Sequence, residues 1–354
     1  MKPAEANSLI GRTMRQSMRR AVRMPAALAR GLFGAPVRND RGAPLDLQTH
    51  IMLKIIEAGG TPRLEELGAE QARTIFRRTN QGFDITSRPM HAVDERSCPG
   101  PDCALPVRIY RPHPTSARRP AACVFYHGGG FVIGCLDSYD GFCRALAERA
   151  GCVVISVDYR LAPEHVFPAA VHDCVAAFRW VREHADALDI DPERIAVAGD
   201  SAGANLAAVV CQQQFIDQQT APFYQLLIYP KVDSSAAYLS HELFGEGFFL
   251  TRALITWFSS TYMADADAFD PRLSPLLFKE LHALPPAMII TAGFDPLRDE
   301  GEAYAKRLTS AGVAVSHRSF DELIHGFISL GGVIDAAQRA VDDIAVEFGR
   351  ALGA

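Results

Sequence analysis

The chain has 354 residues, 48% hydrophobic and 22% charged, with a formal net charge of −5 at pH 7. It is long enough to bury a large core without disulfides or metals, and its acidity gives no electrostatic case for nucleic acid as a global partner. No apolar run reaches the roughly 18 residues that a membrane-spanning helix needs.

Several of the eight cysteines lie in apolar runs, such as Cys123 before Val124-Phe125 and Cys152 before Val153-Val154. There they read as small buried hydrophobes. No C-x-x-C pair or Cys/His cluster has zinc spacing, so no metal is expected. Cys98 and Cys103 are near enough in sequence for a local disulfide, but reduced thiols in a cytoplasmic protein are the expectation.

The first 41 residues hold nine Lys/Arg against only Glu5 and Asp40. On a helical wheel Ile10, Met14, Met18, Ala21 and Val22 share one face and Arg12, Arg15, Arg19 and Arg23 the other, a basic amphipathic helix. Arginines interrupt every stretch that would serve as a secretory signal. Such a helix either packs on the domain or trails from it, or else makes weak contact with an anionic membrane surface. Residues 47–56 suit a second helix that breaks at Gly59-Gly60, and Leu64 to Arg77 suits a third.

Strand signals begin at Ala104–Tyr110, followed by the apolar run Ala122–Tyr126. From there strands (Val153–Val157, Ile195–Ala198, Tyr224–Tyr229, Ala287–Ala292, Val313–Phe320) alternate with helices (Ser138–Ala150, Pro168–Ala187, Ser201–Gln213, Asp299–Ala311, Gly332–Leu352). This rhythm predicts an α/β fold, a mainly parallel sheet with helices on both faces. It breaks between Pro230 and Pro285, an aromatic-rich interval that reads as short helices lying over the carboxyl ends of the strands. The expected division is a basic segment over 1–44, a helical cap from 45–100 and 231–284, and a catalytic domain from 101–230 and 285–354.

The stretch Ile195 to Leu206 carries Gly199-Asp200-Ser201-Ala202-Gly203, a G-x-S-x-G sequence between a strand and a helix. So tight a turn strains the serine backbone, and a Cβ two residues to either side would clash, hence the glycines. A serine hydroxyl needs a base, and the expected chain order is serine, acid, histidine. After Ser201 the histidines are His241, His282, His317 and His325. His317 falls within a strand and His241 and His282 within the cap, which leaves His325, between the last strand and the last helix. Asp295 follows the preceding strand and is placed to orient that imidazole; Asp321 and Glu322, nearer in sequence, are its rivals. His127-Gly128-Gly129-Gly130 follows the strand ending at Tyr126, where glycines let the main chain aim N–H groups at one substrate oxygen, with the amide of Ala202 adding another. Phe131 and the aromatic cap suggest an apolar pocket.

These pieces resemble an α/β-hydrolase of the hormone-sensitive-lipase-like group, the family IV bacterial esterases. The matching motifs are His127-Gly128-Gly129-Gly130-Phe131, Asp158-Tyr159-Arg160-Leu161-Ala162-Pro163-Glu164, Gly199-Asp200-Ser201-Ala202-Gly203, Asp295-Pro296-Leu297-Arg298-Asp299 and His325-Gly326-Phe327. The resemblance implies Ser201 as nucleophile, His325 as general base and Asp295 as its partner. It implies an oxyanion hole at Gly128, Gly129, Gly130 and Ala202, with Gly128 shaping the loop, and His127, Glu164 and Asp200 as supporting residues. Ala204 stands where the family usually has glycine, and the segment before Leu45 lies outside the resemblance.

The expected activity is hydrolysis of small-molecule carboxylic esters with short-to-medium acyl groups, by a monomer or homodimer and without cofactor. Amides, formamides or lactones are alternative substrates for the same machinery. A non-catalytic ligand-binding protein on the same scaffold is the remote alternative.

Overall fold

A computed structural model describes residues 3–60, 62–114 and 119–353. Its centre is an eight-stranded sheet in the order β1-β2-β4-β3-β5-β6-β7-β8. The strands are β1 (Ala92–Pro99), β2 (Ala104–Arg111), β3 (Ala122–Tyr126), β4 (Val153–Val157), β5 (Ile195–Asp200), β6 (Gln225–Ile228), β7 (Ala287–Phe294) and β8 (Val315–Ile324). At one edge β1 pairs antiparallel with β2 and β2 antiparallel with β4, and the remaining pairs are parallel.

Every residue of β3, β4 and β5 is buried. These strands read as continuous apolar runs because each of their faces meets a layer of helices. Cys123 and Phe125 pack toward α5 (Asp140–Ala150) and α11 (Asp335–Ala351). Val124 and Tyr126 pack in the other core, with α6 (Ala169–Glu183), α7 (Ala202–Ile216) and α10 (Arg298–Ser310). All eight cysteines are free and six are buried, Cys98 among them, while Cys103 is exposed.

One boundary differs from the sequence expectation. Residues 92–99, assigned there to the cap, form β1 and pair along their length with β2. The run Ala-Val-Asp-Glu-Arg-Ser-Cys-Pro has little apolar character because an edge strand touches a neighbour on one side only and buries just one of its eight residues.

Ahead of the sheet lie α1 (Pro3–Val22), α2 (Ala26–Phe33), α3 (Leu47–Ala58) and α4 (Ala69–Phe83). The apolar face of α1 turns inward: Val22 is buried, and Met14 and Met18 pack against the core beside residues of α3. Arg15 caps the end of α4, donating to the carbonyls of Gln81 (2.8 Å) and Gly82 (3.2 Å), groups that a helix end leaves without partners. The chain between α2 and α3 is fixed to the sheet domain. There Asn39 donates to the Asp321 carbonyl, and Asp40 meets the buried Arg298 guanidinium through two contacts of 2.6 and 3.0 Å. The N-terminal segment is thus part of the packed protein. The interval after β6 contains α8 (Leu239–Phe244) and α9 (Arg252–Met263), helical as expected. Among the described residues no helix is long and apolar enough to cross a membrane.

Candidate active site

Strand register assembles the site. Tyr126 pairs with Gly199, so the glycine loop and the serine turn leave the sheet side by side. Phe294 pairs with Ile324, so the next residues, Asp295 and His325, emerge together. That pairing follows a bulge at Ala292/Phe294, and Gly293 is its necessity: a Cβ there would stand 2.1 Å from the Asp321 carbonyl oxygen.

Ser201 occupies the turn between β5 and α7 with φ 54°, ψ −118°, a conformation that non-glycine residues adopt only under strain. The flanking glycines have measurable reasons. A Cβ on Gly199 would lie 2.2 Å from the Gly203 carbonyl oxygen, and one on Gly203 would lie 1.9 Å from that of Tyr126. α7 therefore leans directly on the ends of β3 and β5.

His325 Nε2 stands 3.0 Å from Ser201 Oγ, and its Nδ1 stands 2.8 Å from Asp295 Oδ2. Asp295 is fully buried, and its other oxygen accepts the Leu297 N–H at 2.8 Å. With carboxylate oxygens accepting only, the imidazole carries its proton on Nδ1 and presents a lone pair to the serine. The rivals lie elsewhere. Asp321 and Glu322 belong to β8, where Asp321 Oδ1 accepts from Ser319 Oγ. His317 bonds to Thr291, and His241 contacts Tyr238 and Glu300.

Gly129 (φ 114°) and Gly130 (φ 60°) bend the loop back over the serine. A Cβ on Gly129 would strike the Ile133 carbonyl oxygen at 2.2 Å, and one on Gly130 would strike the Phe258 ring at 2.1 Å. Among the described residues, the N–H groups of Gly129, Gly130 and Ala202 have no protein acceptor. Gly128, grouped with the oxyanion hole in the role of shaping its loop, has its N–H already donated to Asp200 Oδ1 at 2.7 Å. It anchors the loop, and it must be glycine because a Cβ would meet Asp200 Oδ2 at 2.5 Å.

Asp200 is buried and also accepts from Tyr139 and Tyr229 hydroxyls, each at 3.3 Å. Burial pushes its carboxyl up to about 7, against the pull of the Gly128 N–H, the imidazole and the two tyrosines. His127 is buried against Tyr159, ring centroids 4.4 Å apart, and bonds its own loop through the Gly128 carbonyl at 2.8 Å. Burial lowers its basicity to about 4, so it is a neutral brace. Phe131 lines the cavity and stacks on Tyr262 at 3.9 Å.

Glu164 is exposed and pairs with Arg73 of α4 at 2.9 Å. Arg73, which sequence reasoning missed, also donates to the carbonyls of Val132 and Ala162. It ties α4 to the glycine loop, and an arginine on a polar helix face gives no sequence signal of that. Glu300, in the first turn of α10, is fully buried and accepts the N–H groups of Val232 (2.7 Å) and Asp233 (3.2 Å).

A cavity of about 1150 Å³ opens on Ser201 and His325. Its walls come from α1 (Met14, Met18), α3 (Leu53, Ile56), α4 (Ile75, Phe76) and α9 (Leu254, Ile255, Phe258), with Val37 and Leu45 between. The share of α1 and Val37 in the wall, from the segment set apart as 1–44, was not foreseen, although the apolar stripe of α1 was visible.

A serine on a strained strand–helix turn, a buried His-Asp pair and a glycine loop beside it define the serine-hydrolase arrangement on a mostly parallel α/β sheet. Residues 123–329 match the family described as alpha/beta hydrolase fold, and the chain belongs to that family, within its hormone-sensitive-lipase-like group.

Over 245 residues it is 50% identical to carboxylic ester hydrolase LipN of Mycobacterium tuberculosis, covering 67% of this chain and 65% of that protein. It is 38% identical to ethyl acetate hydrolase of Pseudomonas putida over 82% of this chain and 93% of the relative. An ester hydrolase from the metagenome of Lake Arreo, solved with a bipyridine phosphonate derivative, superposes with a TM-score of 0.84. It is 41% identical, over 86% of this chain and 98% of that one.

Proposed function

We propose that the chain is a serine carboxylesterase. Ser201 attacks the ester carbonyl while His325 Nε2 takes the hydroxyl proton. The tetrahedral oxyanion lies against the N–H groups of Gly129, Gly130 and Ala202. His325 then gives the proton to the departing alkoxide, leaving an acyl group on Ser201 Oγ and free alcohol. Water, deprotonated by His325, repeats the attack on the acyl carbonyl and releases the acid and the serine. Asp295 holds the imidazole and stabilises its cationic form. The observation that carries the reading is the pair of contacts made by one imidazole, to Ser201 Oγ and to Asp295 Oδ2.

The apolar cavity over Ser201 supports short-to-medium acyl esters, with α1, α3, α4 and α9 as its cap. All groups of this machinery come from one chain, so a monomer suffices. The free, mostly buried cysteines support work in the cytoplasm. A chain-length series of p-nitrophenyl esters tests the reading. Turnover is expected to be greatest between the acetate and the octanoate, beside little hydrolysis of the matching amides. A chain that cleaves amides or lactones faster than any ester of the series overturns the ester assignment.

Asp200 acts through the loop rather than on the substrate. Asp200→Ala removes the acceptor that fixes Gly128 and is expected to lower kcat about 10²-fold, the scale of a misplaced oxyanion donor, with KM nearly unchanged. Asp200→Asn keeps an oxygen for the Gly128 N–H and should recover most of the rate. Steady-state kinetics of the two variants, with thermal melts to verify folding, check this; equal loss in both would remove the loop-anchoring role.

A further inference from the structure

The N-terminal helices present a surface that the hydrolytic machinery does not use. α2 buries Ala29 and exposes Leu28 and Leu32, which are 52% and 63% accessible and one helical turn apart on its outer side. Five residues on, Val37 is 46% exposed and also lines the cavity that reaches Ser201. The apolar patch thus continues to the cavity rim. Arg19 and Arg20, in the last turn of α1, and Arg30, on the side of α2 opposite the two leucines, are exposed, and residues 23–25 join the two helices.

Two exposed leucines in one turn of helix are costly to leave in water, and an arginine-rich setting chooses among the surfaces that would cover them. The first 41 residues carry nine Lys/Arg and two acids in a chain of net charge −5, so the rest of the chain is strongly acidic. Within that segment Arg23 and Arg41 pair with Asp335 and Glu302, while Arg19, Arg20, Arg30 and Arg38 stand exposed. We propose that α2 docks the protein on an anionic lipid bilayer, Leu28 and Leu32 entering the interface and Arg19, Arg20 and Arg30 meeting the headgroup phosphates. The amphipathic face that the sequence displays on α1 is not the docking face, because Met14, Met18 and Val22 are turned into the protein. Docking by α2 sets the cavity rim at Val37 against the membrane, where apolar esters concentrate. This goes beyond the hydrolase reading and does not depend on turnover.

The test is co-sedimentation of the full chain with vesicles of phosphatidylcholine alone or with phosphatidylglycerol. Wild type is expected to partition onto the phosphatidylglycerol vesicles, weakly onto phosphatidylcholine, and to be released by salt, as each cation near the surface is worth about fivefold in partitioning. L28D/L32D is expected to weaken binding at least about tenfold, and R20E/R30E at least about 25-fold, about fivefold for each cation lost. Both variants should hydrolyse p-nitrophenyl butyrate as wild type does, which verifies folding. Three results overturn the proposal. Wild type fails to bind, L28D/L32D binds as wild type does, or wild type is a dimer that L28D/L32D splits while neither binds vesicles; the last makes a second copy the occupant. Because binding is scored without turnover, absent ester hydrolysis would sink the esterase reading and leave docking standing.

Discussion

Ser201→Ala lowers kcat for p-nitrophenyl butyrate by about 10⁶-fold, the loss seen when the nucleophile of such a unit is removed, and leaves the fold intact. The rate falls so far because Oγ is the only atom that converts the bound carbonyl into a covalent adduct. The imidazole and the three backbone donors remain, so hydrolysis stays above the rate in water by about 10³–10⁴-fold. The fold survives because Oγ bonds to His325 across the cavity and supports no other element. The strain at φ 54° belongs to the backbone. Alanine meets the same steric limit as serine there, so thermal melts of variant and wild type should coincide. Kinetics with a fluorophosphonate label check both halves: wild type is labelled and the variant is not. Activity within a hundredfold of wild type would mean that another group attacks the ester.

The parts of this site legible in the sequence are those for which a residue type is itself the requirement. Gly199 and Gly203 announce the turn because the backbone of α7 passes where the side chain of the first would be and the end of β3 where that of the second would be. Asp295 and His325 follow from their positions just beyond two apolar strands, and register brings neighbouring strand ends together. What was not legible depends on which way a backbone group points. Gly128, Gly129 and Gly130 are identical in sequence, yet one N–H is spent on Asp200 and two are free for a substrate oxygen, a difference set by the path of the loop over β5. Arg73 was hidden for a related reason: its partners are the carbonyls of Val132 and Ala162, which every residue owns. β1 was missed because a solvent-facing edge strand has no apolar pattern. The α1 stripe was seen and its direction was not, since periodicity identifies a face to be buried but not what buries it.

Asp295→Asn is expected to lower kcat by about 10⁴-fold with little change in KM, and the local hydrogen bonds give the reason. Asp295 accepts twice, from His325 Nδ1 and from the Leu297 N–H. Asparagine has one accepting oxygen and one donating nitrogen. If the oxygen stays on the Leu297 N–H, the amide nitrogen faces His325 and selects the imidazole with its lone pair on Nδ1. The proton then sits on Nε2, against Ser201 Oγ, and the imidazole cannot take the serine proton. If the amide turns over, the right tautomer returns, but two N–H donors confront each other in a fully buried site at a cost of about 1–3 kcal/mol. Either orientation impairs the base, and the first impairs it almost completely. Asp321→Asn supplies the control: this carboxylate accepts from Ser319 on β8, and its loss should leave kcat unchanged. Measuring kcat and KM for both variants, with the His325 Nδ1 proton followed by NMR, separates orientation from folding. Greater damage from Asp321→Asn than from Asp295→Asn would assign the orienting role to the strand residue instead.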